Sequence, residues 1–86
     1  MADYRPLFTD IATEFILSLS SRRQRQVMRL VHQLARYPLV ESDYRLPDAE
    51  GREIEHLLVE DFVFSYWVDH ASRLVLITEI DLADTG

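Results

Sequence analysis

Residues Gly51 to Asp84, GREIEHLLVEDFVFSYWVDHASRLVLITEIDLAD, decide the fold. β-Branched, aliphatic and aromatic residues fill three runs, Arg52 to Val59, Phe62 to Val68 and Leu74 to Ile80, and this predicts three consecutive strands. Glu60-Asp61 makes a tight turn between the first two, and Asp69 to Ser72 turns the chain into the third. Side chains alternate between faces along a strand. On the middle strand this groups Phe62, Phe64, Tyr66 and Val68 as the core face, with Val63, Ser65, Trp67 and Asp69 opposite. The same alternation assigns Leu74, Leu76 and Ile80 to the core and leaves Val75, Ile77, Glu79 and Asp81 on the other face.

What precedes the meander is the material to cover one side of it. Asp3 to Phe8 reads as a short edge strand, because Pro6 lacks a backbone donor. Thr9 or Asp10 can cap a helix whose Phe8, Ala12, Phe15 and Leu19 form one apolar stripe. A polar SLSS run then supplies a turn, and Ser20 or Ser21 the next cap. The second helix, about Arg22 to Tyr37, places Val27, Leu30, Val31 and Leu34 on one side and stops at Pro38. Leu39 to Glu50 reads as a polar loop pinned by Tyr44 and Leu46. The expected architecture is α+β: an antiparallel sheet of an N-terminal edge strand plus a three-stranded meander, with an antiparallel helix pair packed on one face.

Eighty-six residues accommodate one domain, 1–86. The absence of cysteine excludes disulfides and thiolate metal sites, and His32, His56 and His70 lack metal-ligand spacing, so no metal or cofactor is expected. No signal peptide and no apolar run of ~18 residues is present, which points to a cytoplasmic protein without a membrane span. The net charge of −6 argues against broad nucleic-acid binding. All nine basic residues are arginine, and Arg22, Arg23, Arg25 and Arg29 make one basic patch on the second helix. Such a patch can touch phosphate or an acidic partner, or serve as a solvated helix face.

The order of elements, the proline-ended second helix and the motif G-R-E-I-x-x-L-L-V-x-D-F-x-F-x-Y-W-V-D-H over Gly51 to His70 resemble the RelE/ParE superfamily of bacterial type II toxins. The resemblance runs from Tyr4 to Asp84 and implies the same fold, with a cognate antitoxin as partner. RelE-like members cleave mRNA on the ribosome, which implies a basic cluster on the open sheet face to hold the backbone and stabilise charge on phosphorus. In this chain Val63 stands where the middle-strand arginine would fall. Ile54 and His56, or Glu53 and Glu55 in the shifted register, stand where a basic pair would fall, and Ala83 occupies a third such position. ParE-like members poison DNA gyrase and need no such cluster, so the resemblance favours a ParE-like or catalytically degenerate toxin.

Three readings therefore stand: a toxin-like component neutralised by an antitoxin, a ribosome-dependent endonuclease, and an interaction module without activity of its own. For the endonuclease, His56 is the one general-base candidate on its strand and Arg52 the nearest cation. Asp69-His70 sits in a hairpin turn, where aspartate is a common turn former. For partner binding, Trp67 with Val63, Val75 and Ile77 would make an apolar patch on the open face, taken by an antitoxin segment or a second copy of the chain.

Overall fold

The computed structural model describes residues 4–83. In chain order these form β1 (Arg5–Phe8), α1 (Asp10–Leu17), α2 (Ser21–Arg36), β2 (Tyr44–Pro47), β3 (Glu53–Val59), β4 (Phe62–Asp69) and β5 (Leu74–Leu82). The five strands make one sheet in the order β1-β5-β4-β3-β2. β1 runs parallel to β5, and the other neighbours are antiparallel, so the sheet is mixed rather than wholly antiparallel.

Both helices begin where their caps dictate. Thr9 accepts the Ala12 N–H through its hydroxyl, and Ser20 accepts the Arg23 N–H. The expected apolar stripes hold: Ala12, Val27, Leu30, Val31 and Leu34 are buried, with Phe8, Phe15 and Leu19 packed against them. They meet Phe62, Phe64 and Tyr66 of β4, as the alternation on that strand requires. Glu60, in the two-residue β3–β4 turn, takes a left-handed φ of 55°.

β2 lies inside the stretch read above as loop. Four residues with a terminal proline give little strand signal, yet Tyr44 to Pro47 pair with Glu53 to His56. The intervening turn builds the hairpin: Asp48 Oδ1 accepts the N–H groups of Glu50 and Arg52, and Gly51 takes φ 84°, the region that favours glycine. The turn residues Pro47-Asp48 and Gly51, between alternating segments, were the signal that could have revealed it.

The face assignment on β5 needs correcting. Val75 and Ile77 are 0% exposed and belong to the core, while Leu74 and Leu76 are only partly buried. The cause is a bulge. Ser65 pairs with Glu79 and Tyr66 with Ile77, so Thr78 has no partner and the alternation slips by one residue. Ile80 stays in the core and Glu79 and Asp81 stay opposite, as expected, because they lie beyond the slip.

Ile77→Ala is expected to cost about 2–5 kcal/mol in urea unfolding, the range for emptying a closed core site. Leu58→Ala, at a residue 53% exposed, is expected to stay within about 1 kcal/mol.

Candidate functional site

The sheet face away from the helices carries His56. Its ring stacks on Tyr44 at 4.5 Å between centroids and 7° between planes, and its Nδ1 lies 3.0 Å from the Ser65 hydroxyl. Across the sheet the register continues from Tyr44, His56 and Ser65 to Glu79. The next row holds Leu58, Val63 and Asp81. Neither row contains an arginine, and their charged groups are the carboxylates of Glu79 and Asp81; the arginines of this face, Arg5 paired with Leu74 and Arg52 over Trp67, stand outside these rows. A developing phosphorane would meet negative charge here, so the arrangement supplies a base but no stabilising cation.

Arg52 does not join His56. Four residues along an extended chain separate them by ~13 Å. Arg52 is instead engaged by Asp48 at 2.9 Å, and its guanidinium lies 4.9 Å from the centroid of the Trp67 ring. Burial alone would raise the Asp48 carboxyl, but the Arg52 N–H and guanidinium and the Glu50 N–H together hold it below the usual range. Trp67 is thus half-covered by a held cation rather than openly displayed, and its indole N–H is buried without a hydrogen-bond partner among the described residues. Val63 and Trp67 do lie on the open face; Val75 and Ile77 do not. Leu76, paired with Trp67 and with Leu7, takes the place assigned to them, and Leu46 pairs with Ile54 nearby.

Asp69 serves its turn, accepting the N–H groups of Ala71 and Ser72, while His70 Nδ1 lies 2.8 Å from the Tyr4 hydroxyl. Beneath the sheet, burial pushes the Tyr66 phenol up to about 12.

A second surface was not legible from strand patterns. Between α2 and β3 runs a groove of about 360 Å³ lined by Leu30, Gln33, Leu34, Tyr37, Val40, Leu57, Leu58 and Val59. It exists because β2 stops at the Tyr44–His56 pair, leaving Leu57 to Val59 of β3 without a neighbouring strand on that side. Asp43 reaches across instead, its carboxylate accepting the Leu58 N–H at 2.6 Å. Leu58, Tyr37 and Val40 are exposed along this groove.

Arg22, Arg23, Arg25 and Arg29 of α2 line a shallow depression with Gln26 and Asp61. Arg23 meets Asp61 at 3.2 Å and lies over the Phe62 ring, and Arg29 meets Glu60 at 3.2 Å. The Gln26 amide first, then Arg29, holds the Glu60 carboxyl below its ordinary range, against partial burial. Among the described residues no helix is long and apolar enough to cross a membrane.

No protein-family model matches the chain, and no curated protein matches it in sequence. Solved structures do match. A chain of the RelBE2 toxin–antitoxin complex from Mycobacterium tuberculosis superposes with a TM-score of 0.75 at 22% identity, over 93% of this chain and 98% of that one. A chain of the archaeal RelE–RelB complex from Pyrococcus horikoshii gives 0.73 at 14% identity, over 98% and 99%. The isolated E. coli RelE toxin gives 0.74 at 16% identity, over 96% and 87%. The chain therefore shares the fold of these RelE structures.

The Asp48–Arg52–Trp67 clamp can be read through the chain's single tryptophan. A depressed folded-state carboxyl stabilises the clamp above the ordinary aspartate value of about 3.9 and loses that contribution as pH falls through the lowered value. Trp67 emission is expected to stay constant from pH 7 to below about pH 4 and then change. Asp48→Asn is expected to show the altered emission already at pH 7, with an unchanged far-ultraviolet dichroism spectrum. An identical emission profile in both proteins would rule the clamp out.

Proposed function

We propose that this chain is the toxin component of a type II toxin–antitoxin pair, acting by protein binding rather than RNA cleavage and held by a cognate antitoxin. The observation that carries the reading is the apolar groove between α2 and β3 in a chain of RelE-like fold. Three structural neighbours come from toxin–antitoxin complexes, those of M. tuberculosis, P. horikoshii and E. coli. A groove whose exposed rim is Tyr37, Val40 and Leu58, on a protein otherwise rich in surface charge, suits an amphipathic antitoxin segment that buries its apolar side there.

The open face supports the reading without RNA cleavage. An endonuclease of this fold would use His56 as base, but its row offers Tyr44, Ser65 and Glu79, and the neighbouring row ends in Asp81. Ser65 and Tyr44 also hold the imidazole in a packed, hydrogen-bonded position, which suits a sheet-stabilising role. A ParE-like action on DNA gyrase, or a relative that binds without poisoning, needs none of the missing cations. Either way the action proceeds through contacts with protein.

Induced expression without the neighbouring genes is expected to arrest growth while total mRNA stays intact, with DNA damage marking gyrase as the target. Arrest with fragmented mRNA that disappears on His56→Ala would establish the endonuclease instead. Growth without arrest would leave a binding module of the same fold. Capture of the co-expressed antitoxin is expected to weaken at least tenfold in Val40→Glu, since Val40 lines the groove outside the sheet and burying an aliphatic side chain contributes about 1.5–3 kcal/mol. Val63→Glu on the open face is expected to bind normally.

A further inference from the structure

Charge on this chain is segregated. Residues 15–40 hold five of the nine arginines and none of the fifteen acidic residues, so this stretch carries +5 and the remainder −11. Within it, Arg22, Arg25, Arg29, His32 and Arg36 recur at spacings of three, four, three and four residues. On a helix of ~3.6 residues per turn they fall within an arc of ~80° and span ~21 Å. All five are exposed. Two depressions run end to end along them: the one around Arg22, Arg25 and Gln26, and another lined by Arg29, His32, Gln33, Arg36 and Tyr37. Arg29 lines both.

Ordinary helix stabilisation does not account for this stripe. The first turn of α2 has no acidic residue, and arginines there oppose the helix dipole at a cost of about 0.3–1 kcal/mol each. Nor do internal ion pairs account for it: Glu60 and Asp61 engage Arg29 and Arg23, while no described carboxylate pairs with Arg22, Arg25 or Arg36.

The composition of the stripe selects among anionic occupants. A protein partner draws its binding energy from desolvated aromatic and aliphatic anchors, and a membrane surface needs an apolar face beside the cations. Between the arginines, the depressions offer Gln26 and Gln33, and the one large aromatic, Tyr37, stands at the end, 63% exposed. Arginine forks match phosphate oxygens, and an exposed tyrosine ring offers a stacking surface to an unpaired base. The net negative charge does not forbid this, since fields decay over ~8 Å at physiological salt and Glu79 and Asp81 lie on the opposite side of the sheet.

We propose that the exposed face of α2 is a phosphate-backbone track for single-stranded nucleic acid, reading charge and neither base sequence nor sugar. It does not require the toxin–antitoxin reading, although Gln33 and Tyr37 line both this track and the apolar groove, and it lies away from His56. The test is fluorescence anisotropy of the full chain with labelled RNA and DNA oligonucleotides of about 12 nucleotides, from 50 to 200 mM salt. Both are expected to bind, losing roughly 20- to 50-fold in affinity over that range, as three or four neutralised phosphates require. Arg22→Gln with Arg25→Gln is expected to flatten the slope of log affinity against log salt by about 1.4. Tyr37→Ala is expected to weaken binding at every salt concentration without changing the slope, and Arg73→Gln, outside the stripe, to change nothing. No binding at 50 mM salt, or binding unaffected by the stripe substitutions, would overturn the proposal. Displacement of the oligonucleotide by polyglutamate at equal charge concentration would also overturn it, and would reassign the stripe to an acidic protein segment.

Discussion

Thr78 is the residue on which the arrangement of layers depends. Having no partner on β4, it turns its hydroxyl to the Ser65 carbonyl at 3.1 Å, and its own carbonyl accepts the Thr9 hydroxyl at 2.6 Å. Thr9 is at the same time the cap of α1 and donates its N–H to Ile77. One bulge therefore fixes the phase of β5, the entry of the first helix and the junction of β1 with the sheet. Because it shifts the alternation by one residue, Val75, Ile77 and Ile80 can all face the helices, and the open face receives Leu76 on one side of the slip and Glu79 and Asp81 on the other.

That bulge also marks how much the sequence could reveal. The helices were legible because their apolar periods and serine and threonine caps agree, and β4 because Phe62, Phe64 and Tyr66 alternate without interruption. On β5 every position from Leu74 to Ile77 is aliphatic, so composition cannot fix the phase and only the pairing with β4 does. β2 escaped for a different reason: its four exposed residues are held by the Asp48 turn rather than by an apolar face. The groove between α2 and β3 was illegible for the same reason, since it is created by where β2 ends.

The two ends of the charge distribution bear on function in opposite ways. On the open face, carboxylates occupy the rows around His56, and the nearest candidate cation, Arg52, is committed to Asp48 and Trp67. On the helix face, arginines line α2 and its depressions without an acid on the helix itself. Fold likeness to RelE toxins carries neither feature with it, because apolar strand patterns preserve an architecture while the residues projecting from it change. The groove lies between these regions, apolar where both are charged, and it is there that the proposed antitoxin contact is placed.

Amide hydrogen exchange of the chain, alone and bound to the protein encoded beside it, tests that placement most directly. Protection on binding is expected in residues 30–40 and 57–59, with the amides around Val63 and Leu76 unchanged. Protection confined to the strands around Trp67, with the α2–β3 groove exchanging as in the free protein, would contradict it.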